Sequence, residues 1–326
     1  MDKIAIVGAG FIGCSWSIVF GRAGHPVTLY DSNDDQRQSA LDRIGQSLEQ
    51  LAGAGLIKDA GEILSRIRVT GDLAELVSGA VHVQEAVTER LEAKKEAFHA
   101  IDERTSSDAI IASSSSTFPP SSYSEGLSGR SRCLLAHPLN PPHLVPAVEI
   151  LPAPWTVEDV VDKTHALMKS VGQAPVVMKK EIAGFIVNRL QVALLNEAFA
   201  LLEDDCISAA DLDTAITEGL GLRWSVVGPF ETIDLNTSGG LSHYVEIFAE
   251  LYHEMMKDRG APRRWDPALV ERINGEMRAR WSLEEVPQRQ ARRDSGLMAL
   301  ARLHRSSRGV PPLDNSLTSV VLDHLV

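Results

Sequence analysis

The apolar run Ile4-Ala5-Ile6-Val7 leads straight into Gly8-Ala9-Gly10-Phe11-Ile12-Gly13. A helical stretch follows, then a second apolar run, Val27-Thr28-Leu29-Tyr30, closed by Asp31. A strand that turns on glycines into a helix and comes back as a strand fits the βαβ unit of a doubly wound sheet. Gly8 allows the tight turn, Gly10 lets the backbone approach a pyrophosphate, and Gly13 lets the helix pack closely on the strand. The helix that begins there points its free N–H groups and its positive dipole end at phosphates, and Phe11 and Ile12, inside the turn, count with the cofactor-binding residues. Asp31 ends the second strand, where its carboxylate can accept hydrogen bonds from adenosine ribose hydroxyls. The bland alternative is a glycine-rich turn with no ligand, and the flanking strand, helix, strand and acid weigh against it. A carboxylate at position 31 repels a 2′-phosphate, and after Asp31 both Asp34 and Asp35 come before the next arginine, Arg37. The dinucleotide expected here is therefore NAD rather than NADP.

A chain of 326 residues holds two domains of ordinary size. The first half alternates strand and helix patterns, which implies a parallel sheet with helices on both faces. Strands are expected at Ile67–Thr70, Val81–Gln84, Ala109–Ser113, Cys133–Ala136, Ala147–Leu151 and Ala174–Met178, and helices at Asp34–Leu51, Glu92–Glu103 and Val157–Val171. Past about residue 180 the strand patterns stop. Ile182–Glu203 reads as one long helix, followed by helices near Ala209–Glu218, Leu241–Arg259, Pro267–Arg280 and Gln288–Arg305. The expected organisation is α/β, with a Rossmann-type domain over 1–183 and an all-helical domain over 184–326. The tail Gly309–Val326 stays unassigned.

The formal charge of −12 argues against nucleic acid, which needs a basic face. No apolar stretch approaches the length of a membrane span. No leader peptide is expected, because the first strand starts almost at Met1, and the expected compartment is the cytosol. Cys14, Cys133 and Cys206 show neither metal-ligand spacing nor a disulfide framework, so no metal is expected.

Four features carry candidate chemistry. His137 follows an apolar strand and opens the loop Pro138-Leu139-Asn140-Pro141-Pro142, where the crevice of a doubly wound sheet lies. A neutral imidazole there can take the proton released when an alcohol is oxidised; a structural loop histidine is the alternative. Glu149 sits between Val148 and Ile150, a costly place for a carboxylate unless it is paired. The segment between the two is short enough to fold back, and a buried carboxylate would fix the tautomer of the imidazole; a solvent-facing glutamate is the alternative. Ser113–Ser116 ends another strand, and one of these hydroxyls can donate to a substrate carbonyl, though composition does not say which. Asn188 lies in an apolar helical turn, where asparagine is unfavourable unless it makes a specific hydrogen bond or packs against another helix.

With these motifs together, the chain resembles the 3-hydroxyacyl-CoA dehydrogenase family, and within it the lambda-crystallin / L-gulonate 3-dehydrogenase branch. The matching segments are Gly8–Gly13, Val83–Val87, Ser113–Ser116, Ala136–Pro142, Val148–Ile150, Gly184–Leu190, Gly219–Arg223 and Gly228–Thr232. The resemblance spans about residues 3–305. It implies a dinucleotide-binding domain joined to a helical dimerisation domain, and hence a homodimer through the C-terminal helices. By position it implies that His137 is the catalytic base and Glu149 the carboxylate paired with it. Ser116 and Asn188 would touch the substrate oxygen, and Glu85 would lie beside the nicotinamide ribose. Two departures matter. Acyl-CoA members usually read Asn-Thr-Ser where this chain has Ser114-Ser115-Ser116, and Leu222-Arg223-Trp224-Ser225 stands before Gly228-Pro229. The planar fork of Arg223 suits a free carboxylate, unless it is a surface arginine.

The expected activity is NAD-dependent oxidation of the 3-hydroxyl of a 3-hydroxy acid, L-gulonate-like or short, together with the reverse reduction. An L-3-hydroxyacyl-CoA thioester is the runner-up substrate, and diketone or carnitine-type substrates stay open. A non-catalytic NAD-binding or structural protein is the alternative from another class; the filled set Ser116, His137, Glu149 and Asn188 speaks against it.

Overall fold

The computed structural model describes residues 1–257, 267–280 and 282–307. The tail Gly309–Val326 lies outside them. The chain divides into two compact units, Met1–Ile186 with Gln290–Val326, and Val187–Arg289.

The first unit is built on one eight-stranded sheet, whose strands are β1 (Lys3–Val7), β2 (Val27–Tyr30), β3 (Ile67–Thr70), β4 (Ala80–Glu85), β5 (Ile110–Ser113), β6 (Cys133–Pro138), β7 (Ala147–Pro152) and β8 (Ala174–Val177). Their order is β3-β2-β1-β4-β5-β6-β7-β8. Helices α1 (Phe11–Arg22), α2 (Asp34–Gly53), α3 (Leu91–Asp102) and α4 (Glu158–Ser170) cover it. The continuous apolar run of β1 is explained by burial on both faces. Ile4 and Ile6 join the core beneath α1 and α2, while Ala5 and Val7 join the core beneath α3. In α2, Ala40, Ile44, Leu48 and Leu51 make the inward stripe at helical spacing. The Asn33 side chain caps that helix by accepting from the Asp35 and Gln36 N–H groups.

The all-parallel sheet expected from the alternation holds for β1 to β6, but β7 runs antiparallel to β6. The cause is the link between them. A parallel crossover needs a dozen or more residues, usually including a helix, and the stretch Leu139–Pro146 is too short for one. The chain regains the parallel sense only at β8, after the full crossover through α4.

The second unit is helical, with α5 (Val187–Glu203), α6 (Ala209–Ala215), α7 (Pro229–Leu235), α8 (Gly240–Lys257) and α9 (Pro267–Arg280). Its small core joins Leu202 and Ala209 with Phe199, Leu212 and Ile273. The long helix expected from Ile182 begins instead at Val187. Gly184 and Phe185 both take left-handed backbone angles, φ 78° and 50°, which stops a helix from running through them. The expected boundary at 183/184 compares with a division at Ile186/Val187. The last helix, α10 (Val286–Ser307), is grouped from Gln290 with the sheet unit, where Leu297, Met298 and Ala301 pack on the main core. Among the described residues no helix is long and apolar enough to cross a membrane.

Candidate active site

The glycine turn lies at the C-terminal end of β1, over a groove of about 830 Å³ lined by Gly8, Gly10, Phe11, Ile12, Asp31 and Val87, among others. The three glycines differ in what a side chain would meet. At Gly8 (φ 106°) a Cβ would stand 2.5 Å from the Ala86 carbonyl oxygen, and at Gly13 it would stand 1.8 Å from that of Gly8. Among the described residues nothing lies within 4 Å of a Cβ at Gly10, so a side chain there would enter open space. The first and third glycines therefore close the turn, and the second keeps the approach to α1 clear. No side chain caps α1 at Gly10. Its first N–H groups and dipole suit a pyrophosphate, so this cradle fits a dinucleotide.

Asp31 braces the loop it faces. Its Oδ2 accepts from the Ala9 N–H at 2.8 Å and its Oδ1 from the Asn33 N–H at 2.9 Å. Arg43 donates to the Ala9 carbonyl at 2.7 Å, and Arg37 donates to the Asp31 carbonyl at 2.6 Å while pairing with Asp34.

His137 lies near the end of β6, and the antiparallel register sets it directly opposite Glu149 on β7. Opposed residues on such a pair share a face of the sheet. The His137 Nδ1 is 2.8 Å from Glu149 Oε2, and Glu149 is fully buried. The other carboxylate oxygen accepts from the Ile186 N–H at 2.7 Å. The Gly184–Phe185 turn delivers that N–H, and the buried Phe185 ring packs against the imidazole with centroids 5.4 Å apart. With Nδ1–H donating to the carboxylate, a neutral ring presents the Nε2 lone pair as a proton acceptor. Sequence patterning singled out His137 and Glu149 but missed Phe185 and Ile186. The signal was the Gly184 motif, which reads as a helix start until the left-handed turn is seen.

The four serines separate cleanly. Ser113 donates to Glu85 at 2.5 Å, Ser115 donates to Glu89 at 2.7 Å, and Ser114 accepts from Trp16 and Gln84. Ser116 is exposed at the end of the strip, with its N–H bound to Glu89 at 3.0 Å.

Glu85 stands in a different place from the expected one. It is fully buried, paired with Lys94 at 3.1 Å, and accepts from the Val87 N–H at 2.7 Å. Burial pushes its carboxyl above the usual range, against the pull of Lys94 and of the bonds from Ser113 and Val87. It thus ties β4, α3 and β5 together from inside instead of facing a ribose. Lys94 also pairs with Glu89 at 3.1 Å. Burial raises Glu89 as well, but bonds from Ser115 and Thr117 together with the Lys94 charge hold it below the usual carboxylate range. Neither Lys94 nor Glu89 was singled out from sequence. The available clue was a lysine on the inward stripe of α3 that also holds Phe98 and Ile101.

Asn188 is the second residue of α5, in its first turn and not in a helix interior. Arg223 lies on the exposed short helix Gly221–Trp224. Both belong to the second unit. Among the described residues no group of three or more His, Cys, Asp or Glu could hold a metal ion.

Comparison with known proteins places the chain in a family. The model for the 3-hydroxyacyl-CoA dehydrogenase NAD binding domain matches residues 3–182, and that for the 3-hydroxyacyl-CoA dehydrogenase C-terminal domain matches residues 184–277. The chain is 41% identical to the lambda-crystallin homolog of Mus musculus over 305 residues, which is 92% of this chain and 95% of that protein. It is 32% identical to L-carnitine dehydrogenase of Streptomyces griseus over 310 residues, 94% of this chain and 92% of that one. A solved structure of 5-formyl-3-hydroxy-2-methylpyridine 4-carboxylic acid 5-dehydrogenase, described as an NAD+-dependent dismutase, superposes with a TM-score of 0.79 at 28% identity. It covers 95% of this chain and 100% of that one.

Proposed function

Since the chain belongs to the 3-hydroxyacyl-CoA dehydrogenase family and works as an NAD-dependent dehydrogenase, we propose that its substrate is a free 3-hydroxy acid. This would be an L-gulonate-like or short acid, oxidised at C3 and re-formed in the reverse direction. The observation that carries the chemistry is the buried His137–Glu149 pair. In the oxidising direction His137 Nε2 takes the proton of the substrate hydroxyl. Glu149, held by the Ile186 N–H, keeps the ring in the accepting tautomer and balances the charge it gains. Bound NAD supplies the acceptor for the hydride from C3. Ser116 and Asn188 are the proposed donors to the substrate oxygen.

The choice of a free acid rests on Arg223, whose guanidinium can grip a carboxylate in two-pronged fashion. The L-carnitine dehydrogenase likeness supports it, since L-carnitine is itself a 3-hydroxy acid with a free carboxylate. An acyl-CoA thioester is the second reading, favoured by the substrate named in the matching family. Two variants separate the parts. His137→Ala lowers kcat by about 10²–10⁴-fold while NADH affinity is kept; an unchanged kcat removes His137 as the base. Arg223→Ala raises KM for a free acid and leaves a CoA thioester unaffected; equal effects on both remove the carboxylate role.

A second copy of the chain is the proposed partner of the helical unit. Helix α8 has no buried residue and leaves Leu241, Val245, Leu251, Tyr252 and Met255 exposed. An apolar surface of that extent marks an interface. Sedimentation of the purified protein is expected to give a homodimer, and a monomer would remove this part of the reading.

A further inference from the structure

A buried chain of hydrogen bonds converges on Ser114. The Gln84 amide nitrogen donates to Ser114 Oγ at 2.8 Å and to the Ala136 carbonyl at 3.2 Å, and its oxygen lies 3.1 Å from His82 Nε2. A carbonyl can only accept, so the amide nitrogen faces Ala136 and the amide oxygen faces His82. His82 must then donate from Nε2. The ring is buried, its pKa is pushed down to about 4 by that burial, and its Nδ1 has no partner among the described residues. A neutral imidazole with its one proton on Nε2 meets all three facts. From the other side, the indole N–H of the fully buried Trp16 on α1 donates to the same Ser114 oxygen at 3.0 Å.

A hydroxyl has two lone pairs and one proton. Trp16 and Gln84 fill both lone pairs of Ser114, and among the described residues none accepts its proton. The hydroxyl is left as a donor only, and two incoming N–H bonds polarise it for that role. Ser114 is only partly buried, at the crevice end of β5, and the amide that reaches it also holds the residue just before His137.

We propose that Ser114 is a further ligand-contacting residue of the dehydrogenase, donating a hydrogen bond to a carbonyl oxygen bound beside His137. Gln84 and Trp16 are positioning residues that force its direction. The acceptor is either the carboxamide oxygen of the nicotinamide or the oxo group of the substrate. The inference rests on the NAD-dependent reaction read above, not on which acid is used.

The test measures NADH affinity by fluorescence, kcat and KM on the best substrate, and thermal midpoint for Ser114→Ala, Ser114→Thr and Gln84→Met. Ser114→Ala is expected to lose about 2–10-fold, the span of one hydrogen bond between neutral groups, and Ser114→Thr is expected to recover most of it. Weaker NADH binding assigns the cofactor carboxamide. Unchanged NADH binding with a lower kcat/KM assigns the substrate oxygen. Gln84→Met keeps the hydroxyl but frees one lone pair, so a smaller loss in the same parameter is expected. The proposal is overturned if Ser114→Ala alters only the thermal midpoint, or if Ser114→Thr is as impaired as Ser114→Ala. Should Ser114→Ala not fold, unchanged parameters in Gln84→Met overturn it. If wild type turns over no 3-hydroxy substrate, the functional reading fails, while the NADH arm still tests Ser114.

Discussion

Replacing Glu149 by glutamine should cripple the enzyme without unfolding it. The carboxylate is fully buried and both of its oxygens are engaged. Oε2 accepts from His137 Nδ1 and Oε1 accepts from the Ile186 N–H. Glutamine keeps the volume but has only one acceptor oxygen. The Ile186 backbone cannot turn away, so the amide oxygen takes its place there and the NH2 faces the imidazole. A donor then meets Nδ1, and the neutral ring must move its proton to Nε2, where it can no longer act as a base. If Glu149 only oriented the ring, losing one bond to a buried charge would cost about 1.5–3 kcal/mol, or roughly 10–100-fold. Losing the base through the wrong tautomer adds the rest of the general-base contribution, which extends the fall to about 10⁴-fold. The expected loss in kcat is therefore about 10²–10⁴-fold. Steady-state kinetics beside NADH fluorescence titration and a thermal melt would measure it, with NADH affinity preserved. A kcat within a few-fold of wild type would refute the tautomer argument.

Gly10 and Gly13 should fail differently when changed to alanine. Gly13→Ala drives a methyl group into the Gly8 carbonyl and lowers the melting temperature, whereas Gly10→Ala leaves it unchanged but weakens NADH binding in a titration. Asp31→Ser removes the carboxylate that would repel a 2′-phosphate while Arg37 stays beside it, so the ratio of NADH to NADPH affinity should fall. Lys94→Met strips the buried Glu85 of its cation, and breaking such a pair from one side costs about 3–5 kcal/mol. Burial already raises the Glu85 pKa. The stability deficit of the variant should therefore be smallest below the unfolded carboxyl value and grow as pH rises through the folded one. Urea unfolding at mildly acidic and neutral pH checks the sign, and an equal deficit at both would contradict it.

The parts of this molecule readable from the chain are those with local patterns. The strand–glycine–helix–strand–acid unit was set by sequence spacing, and the continuous apolar runs announced strands buried on both faces. Glu149 was conspicuous because a carboxylate between valine and isoleucine demands a partner. The links that bind distant segments were not readable. Trp16 and Ser114 are joined through an indole N–H, and Gln84 reaches Ala136 across two strands; no local composition marks either. The four serines look alike in a row, and only their partners separate them. The antiparallel turn into β7 and the left-handed Phe185 depend on what packs around them, so the expected parallel sheet and long helix needed correction there.

The most direct measurement is NADH formation from NAD with L-gulonate, L-3-hydroxybutyrate, L-carnitine and 3-hydroxybutyryl-CoA compared at equal concentration. The account predicts a clear preference for one of the free acids. Preference for the CoA thioester would contradict it and return Arg223 to the role of a surface residue.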